Sequence, residues 1–214
     1  MLNAIPLFQS LSQTQLASVG AHAAWKVCEK GDVIVRQGEL ADSFFVIASG
    51  QVKVYMTEGD REVILKTLSA GDFFGEIPML DLEPRSASVA AIERSHLQTL
   101  SYKAFQEAME TSPDIAKRVL ETLARRLRDA DRKISTLALM DISSRVSRTL
   151  LELAIMSNGR MVVGEPFTQK DLAGMVGASR EMENRTLHDL MKQGYIEVHR
   201  KSITILDQNL PIRY

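Results

Sequence analysis

Along the first half of this chain, apolar and polar positions trade places every few residues, with turn residues between them. The segments DVIVRQG, SFFVIASG, QVKVYMTEG, REVILKTL, SASVAAIE and HLQTLSY are each short, and several close on glycine. Alternation is plainest in Gln51-Val52-Lys53-Val54-Tyr55-Met56, the period of a half-buried strand. Many short strands separated by turns predict a β-sandwich or barrel, entered through a helical opening, SQTQLASVGAHA. The KGD of Lys30–Asp32 and the AGD of Ala70–Asp72 look alike, and two tight turns account for the likeness without an internal repeat.

The period changes at Pro113. Ala116, Leu120, Leu123, Leu127, Ala130, Ile134 and Leu137 follow one another at spacings of 4, 3, 4, 3, 4 and 3. A heptad seam of this kind pairs helices, whereas a helix packed only on its own domain carries a wider apolar stripe. Charged flanks (Arg125, Arg126, Arg128, Asp129, Asp131, Arg132, Lys133) border the seam. The expectation is one long helix over roughly 113–137 that pairs with a second copy. Ser112 as cap, Pro113 at the first position and Asp114 near the positive end supply its start.

From Asp141 the helical period resumes. Asp141 caps a helix predicted through ISSRVSRTLLELAIMSNG, with Gly159 near its end. FTQKDLAGMVGASREMENRTLHDLMKQGYI then holds two helices. Thr168 and Asp171 form a variant capping box, the first helix runs to about Met175, Gly177 makes the turn, Ser179 caps the second helix and Gly194 stops it. IEVHRKSITIL reads as a small hairpin turning at Arg200–Lys201. Helix, short glycine turn and longer helix make the helix-turn-helix plan, with Ala173 at the crowded contact and Leu172, Val176, Leu187 and Met191 as core. A generic helix pair looks similar.

The start of the second helix adds chemistry. Arg180, Glu181 and Arg185 lie within its first two turns, where a recognition helix meets base edges. Arginine fits guanine O6 and N7, and glutamate accepts from cytosine N4. A plain Glu181–Arg185 surface ion pair is the alternative use of two of them. Thr168, Gln169, Ser179, Arg200 and Lys201 are the candidate phosphate contacts.

Composition narrows the classes. The 214 residues suffice for two modest domains. Net charge is −1, so the whole-molecule field does not announce nucleic acid, and from Asp141 onward it is only +1. The single cysteine, Cys28, excludes an intrachain disulfide and a four-cysteine cluster, and a reducing cytoplasm is expected. The first residues lack a basic n-region and a small-residue cleavage site, and no apolar run is long enough to span a membrane, so neither signal peptide nor membrane attachment is expected. The four histidines show no metal-ligand spacing, and no metal is expected. With no Ser/His/Asp set or P-loop, an enzyme is not expected.

Three stretches carry a resemblance over essentially the whole chain: GDFFGEIPMLDLEPRSA, ARRLRDADRKISTLALMD and GASREMENR. They resemble the phosphate-binding cassette, the dimer helix with its hinge, and the recognition helix of the cyclic-AMP receptor protein/FNR family of bacterial transcription regulators. The resemblance implies an α+β chain: an N-terminal β-roll (jelly-roll) cyclic-nucleotide-binding domain over 1–112, a dimerisation helix and hinge over 113–140, and a winged helix-turn-helix over 141–214. The hinge would lie near Ala138–Asp141.

Carried over from the family, Glu76 would accept from a ribose 2′-hydroxyl, Arg85 would pair with the cyclic phosphate and Ser86 would donate to it. Gly75, Glu76 and Ile77 would line the close approach of the chain, and Arg126 would reach the ligand or a salt network. Pro78 and Met79 depart from the family's usual small residue and leucine, and Pro78 removes a backbone donor. Where the receptors touch adenine with a Thr-Ser pair, this chain has Ala130 and Asp131. Cyclic AMP is therefore the first expected effector, with cyclic GMP or cyclic di-GMP next; paired glutamate and arginine in a simple turn is the plain alternative. The resemblance further implies a homodimer on a palindrome with TGTGA-like half-sites and an RNA-polymerase contact around Ser157–Arg160. Two rival readings are a constitutive regulator with a vestigial pocket and a cyclic-nucleotide-sensing interaction protein that does not read DNA.

Overall fold

The computed structural model describes residues 6–9, 11–21, 23–59, 61–199 and 202–212. They divide into two compact units, one built from residues up to Met56 together with Lys66–Asp129, the other from Thr57–Leu65 together with Ala130 onward.

The first unit opens with a 3-10 turn, Pro6–Phe8, and α1 (Gln13–Ala21). Eight strands follow: β1 (Ala23–Cys28), β2 (Val33–Val35), β3 (Ser43–Ser49), β4 (Gln51–Glu58), β5 (Arg61–Ser69), β6 (Phe73–Phe74), β7 (Ser88–Ala91) and β8 (Ser95–Ser101). They form two four-stranded sheets, ordered β1-β8-β3-β6 and β2-β7-β4-β5, and the hairpin β4–β5 carries Thr57–Leu65. Between β6 and β7 sits α2 (Ile77–Asp81); after β8 come α3 (Tyr102–Thr111) and the long α4 (Pro113–Leu139).

β3 shows how the sequence arranges these layers. Its centre, Phe44–Ile47, is buried on both faces, which is why it reads as an unbroken apolar run. Phe45 and Ile47 join Val52, Val54, Leu68, Phe74, Val89 and Leu97 in a core fed by both sheets. Phe44 and Val46 point the other way, into a core shared with Phe8, Ala104, Phe105, Ile115 and Val119 from the helices, and with Leu11 between the first two of them. Phe44 stacks on Phe105 at 4.2 Å and Phe45 on Phe74 at 4.9 Å. Burying each such ring contributes roughly 2–3 kcal/mol. The two look-alike turns are equivalent in detail: Gly31 and Gly71 have φ +96° and +91°, and Asp32 and Asp72 each accept a backbone hydrogen bond from the residue three positions back.

Three elements depart from the sequence reading. β1 was not anticipated, because its residues are mostly exposed and carry no alternation. α3 falls where only a strand end was read; its polar face masks the short row Ala104, Phe105, Ala108. The helix from Asp141 is shorter than expected: α5 (Ile142–Leu153) stops, and a hairpin of β9 (Ile155–Ser157) and β10 (Arg160–Val163) takes the remainder. Asn158 and Gly159, at φ +48° and +75°, supply the Asn-Gly turn that two-residue hairpins favour. The sequence pattern had run the apolar stretch LLELAIM through as helix. Ser112, expected to cap α4, is the C-cap of α3 instead.

α4 carries two apolar rows. Ile115 and Val119 are buried in the first unit, with Leu123 packed against them. Leu120, Leu127 and Ile134, seven residues apart, stay 64–66% exposed in the single chain. Such a row on a long helix is a partner-facing seam. Leu127→Glu is expected to convert a sedimenting dimer to monomer at micromolar concentration; an unchanged sedimentation coefficient would remove the seam from the interface.

The second unit completes with α6 (Gln169–Val176), α7 (Arg180–Lys192), β11 (Ile196–Val198) and β12 (Ile203–Ile205), the strands ordered β11-β12-β10-β9. Val146 and Leu150 of α5, Leu172 and Val176 of α6, Leu187 and Leu190 of α7, and Ile196, Ile203 and Ile205 of the sheet make its core. Met191, expected inside, is 39% exposed, and Leu190 takes its place. The inward row of α7 runs through positions 183, 187 and 190, which leaves 191 on the rim.

Candidate anion pocket and nucleic-acid interface

β6 delivers the chain to Gly75 at φ +89°. A Cβ there would meet Arg85 Nη1 at 2.5 Å and the Ser43 carbonyl at 3.0 Å, so only glycine lets the backbone pass this close to the arginine. Glu76 follows at the N-cap position of α2 but makes no capping bond with its side chain. It is 1% exposed. Oε1 pairs with Arg126 of α4, whose second terminal nitrogen donates to the Phe73 carbonyl, and the guanidinium lies over the Phe73 ring at 4.8 Å. Glu76 Oε2 is buried with no hydrogen-bond partner.

Arg85 sits nine residues on and is 5% exposed. Nη2 donates to the Ser43 carbonyl at 2.7 Å and Nη1 to the Gly75 carbonyl at 3.3 Å, with the guanidinium over Phe45. Among the described residues no carboxylate lies within ion-pair distance. Burial pushes its pKa down; Asp42, Glu39 and Glu76 oppose this at longer range. An arginine stays charged through such a shift. The arrangement is thus a buried cation held by carbonyls, with donors to spare, and a buried carboxylate oxygen with nothing to accept from. An anion near Arg85 and a hydroxyl near Glu76 would complete both. The glutamate pairs with Arg126, across 50 residues of sequence, and not with Arg85 in a simple turn.

Gly75, Glu76, Arg85 and Arg126 therefore converge. Ile77 and Ser86 are exposed beside them, while Pro78 and Met79 are buried in α2. Ala130 and Asp131 are exposed on α4, a turn beyond Arg126. Lys66 on β5 escaped the sequence reading. It is half-buried, and burial brings its pKa down to about 8, reinforced by Arg126 and opposed by Glu76, Asp72 and Asp129. The usable signal was its inward parity with Ile64 and Leu68.

In the second unit the predicted capping is present atom for atom. Thr168 Oγ1 accepts from the Asp171 amide and donates to Asp171 Oδ2, and Asp171 accepts from the Thr168 amide. Gly177 takes φ +69°, and a Cβ there would come within 2.9 Å of Leu137 Cδ2. Ser179 caps α7 by accepting from the Met182 amide. Arg180, Glu181 and Arg185 are all exposed, and Arg185 donates to Glu181 at 3.1 Å. An exposed pair of this kind is worth less than about 1 kcal/mol and yields readily to a base edge. Gln169 is exposed at the first turn of α6. Arg200 and Lys201 lie outside the described residues.

One residue of α7 stands apart. Glu183 is fully buried, neither carboxylate oxygen has a partner, and burial pushes its pKa up to about 7 against the pull of Arg180.

Residues 25–112 match the cyclic nucleotide-binding domain, and residues 144–209 match the Crp-like helix-turn-helix domain. The CRP-like cAMP-activated global transcriptional regulator of Mycobacterium tuberculosis is 31% identical over 206 residues, covering 94% of this chain and 92% of its own. The chain belongs to the CRP/FNR family of transcriptional regulators. The cAMP-activated global transcriptional regulator of Pasteurella multocida is 34% identical over 180 residues, or 80% of this chain and 85% of its own. Among solved structures, the c-di-GMP-responsive global regulator CLP of Xanthomonas campestris superimposes with a TM-score of 0.81 at 28% identity, covering 92% of this chain and all of that one.

As a CRP/FNR regulator, the chain is a cyclic-nucleotide-binding, DNA-binding protein of a non-enzymatic class, with a β-rich ligand domain, a long helix and a helix-turn-helix. Its helix-turn-helix and dimer helix make DNA and a second copy of itself its partners. No helix is long and apolar enough to cross a membrane, and no group of metal-ligating side chains occurs among the described residues.

Proposed function

We propose that this regulator is a cytoplasmic homodimer whose affinity for a palindromic site rises when cyclic AMP binds. The division would be 1–112 for ligand, 113–140 for dimer helix and hinge, and 141–214 for DNA. The observation that carries the ligand reading is Arg85: a buried guanidinium with spare donors, held by the Gly75 and Ser43 carbonyls and the Ser43 hydroxyl with no carboxylate partner among the described residues, beside an unpartnered Glu76 Oε2. The cyclic phosphate would occupy Arg85, with Ser86 donating at the rim and Gly75 and Ile77 shaping the approach. The ribose hydroxyl would donate to Glu76, which Arg126 holds in place. Cyclic AMP stands first because curated relatives above 30% identity are cAMP-activated. A guanine nucleotide, cyclic GMP or cyclic di-GMP, is the second reading, favoured by the likeness to a c-di-GMP-responsive regulator and by acidic Asp131 at the family's adenine-contact position. Titration calorimetry of the purified dimer with each nucleotide tests it. Heat from none of the three would leave the vestigial-pocket reading.

On DNA, Arg180, Glu181 and Arg185 would read TGTGA-like half-sites from α7, their helices entering successive major grooves about 34 Å apart. Gln169, Ser179, Arg200 and Lys201 would hold phosphates. Thr168 would serve as cap first, because its hydroxyl proton is given to Asp171. The exposed Ser157–Arg160 turn would meet RNA polymerase. Arg185→Ala is expected to cost about 1–3 kcal/mol of discrimination at one base pair of each half-site. Unchanged discrimination among half-site variants would remove Arg185 from the base-reading set.

A further inference from the structure

The tip of the β4–β5 hairpin, Thr57–Leu65, belongs to the second unit, and there it meets α6. Gly174 lies inside α6, where glycine weakens a helix relative to alanine. A Cβ at that position would meet Ile64 Cγ1 at 3.1 Å, Ile64 Cδ1 at 3.3 Å and the Glu62 carbonyl at 3.4 Å. The glycine therefore admits the strand, and Ile64, 1% exposed, is buried in the contact. One turn earlier on α6, Lys170 Nζ pairs with Glu62 Oε2 at 3.0 Å. The Glu62 side chain is only 10% exposed and that of Lys170 is 51% exposed. Surface ion pairs are weak partly because two long side chains must be ordered; here packing at Ile64 and Gly174 already holds the carboxylate in place.

Lys170 is the second residue of α6, next to the Thr168 cap and to Gln169. The first helix of a helix-turn-helix crosses the DNA backbone, so phosphates approach this end of α6. A cation in the first turn opposes the helix dipole, so α6 itself gains nothing from the lysine. We infer that Glu62 makes an autoinhibitory contact: its carboxylate occupies Lys170 in place of a DNA phosphate and must be displaced when a duplex binds. This rests on the DNA reading above. Carboxylate and phosphate compete for one ammonium, and the competitor is part of the same chain, so it lowers affinity at any concentration of protein. A phosphate contact carries no sequence information, so the inhibition falls on every duplex alike.

The test is an anisotropy titration without nucleotide, over a series of low salt concentrations, with wild type, Glu62→Gln, Lys170→Gln and the double variant. The palindrome with TGTGA half-sites and a scrambled duplex are the two probes. Glu62→Gln is expected to tighten both duplexes about fivefold. Lys170→Gln is expected to weaken both and to flatten the salt dependence by about 2 in log–log slope for the dimer, one phosphate per protomer. In the Lys170→Gln background Glu62→Gln should bring no gain. Three results overturn the inference. The first is a lower thermal midpoint for Glu62→Gln with unchanged DNA affinity, which makes the pair structural only. The second is an equal gain in the Lys170→Gln background, which makes Glu62 a general repulsive charge. The third is an unchanged salt slope in Lys170→Gln, which removes the phosphate from Lys170. A wild-type dimer that binds neither duplex even with saturating cyclic AMP removes the DNA reading itself, and this inference with it.

Discussion

Arg85→Ala abolishes effector binding at physiological nucleotide concentrations, with an expected loss of about 100- to 1000-fold in affinity. The size follows from burial. The guanidinium is out of water, so its attraction for an incoming phosphate is weakly screened, and its planar fork directs several donors at one anion. Truncation also leaves the Ser43 and Gly75 carbonyls without their donor, which costs stability as well as binding. Arg85→Lys separates the two effects. It keeps the charge and loses the fork, so it is expected to fold, bind weakly and recover part of the signal. Calorimetry paired with thermal unfolding reads both quantities. Wild-type affinity in a folded Arg85→Ala dimer would mean that the phosphate is held elsewhere.

Glu183→Leu stabilises the DNA-binding domain, and does so most above neutrality. The carboxyl has a native pKa of about 7 against an ordinary value of 4.5, so between those values the folded state binds the extra proton. Stability therefore falls as pH rises from about 4.5 to 7 and stays low beyond it. At pH 8 the penalty is roughly 3 kcal/mol. Leucine removes the ionisation and the two unsatisfied oxygens at similar volume. The expected result is a midpoint several degrees above wild type at pH 8, with a smaller gap at pH 5. Glu183→Gln should flatten the pH dependence while keeping the polar burial. A midpoint for Glu183→Leu at or below wild type at pH 8 would show that the buried carboxylate is not a liability.

These two residues mark how far the sequence could be read. Arg85 was legible because its cassette is local: a glycine, a glutamate and an arginine within one turn-rich stretch, in a spacing shared with a known family. The capping of α6 and α7 was legible for the same reason, since Thr168, Asp171, Gly177 and Ser179 act on neighbours three residues away or on their own backbone. Nothing local to Glu183 announces its burial. That it is entirely enclosed depends on packing by other helices and on no local period. Lys66 and the partner of Glu76 were hidden by distance along the chain. A strand position does not announce which helix it faces, and Arg126 had two plausible uses until the fold chose one. The Asn158–Gly159 hairpin was missed although its turn signal was present, because the preceding apolar run satisfied a helical period as well.

In the proposed regulator ligand and DNA are coupled in one molecule, and equilibrium binding of DNA tests that most directly. A labelled duplex with inverted TGTGA half-sites would be titrated with the wild-type dimer at fixed salt, by fluorescence anisotropy, with and without saturating cyclic AMP. Roughly 5- to 150-fold tighter binding in the presence of cyclic AMP is predicted, the usual range of coupling between two sites. Identical affinity with and without the nucleotide would contradict it.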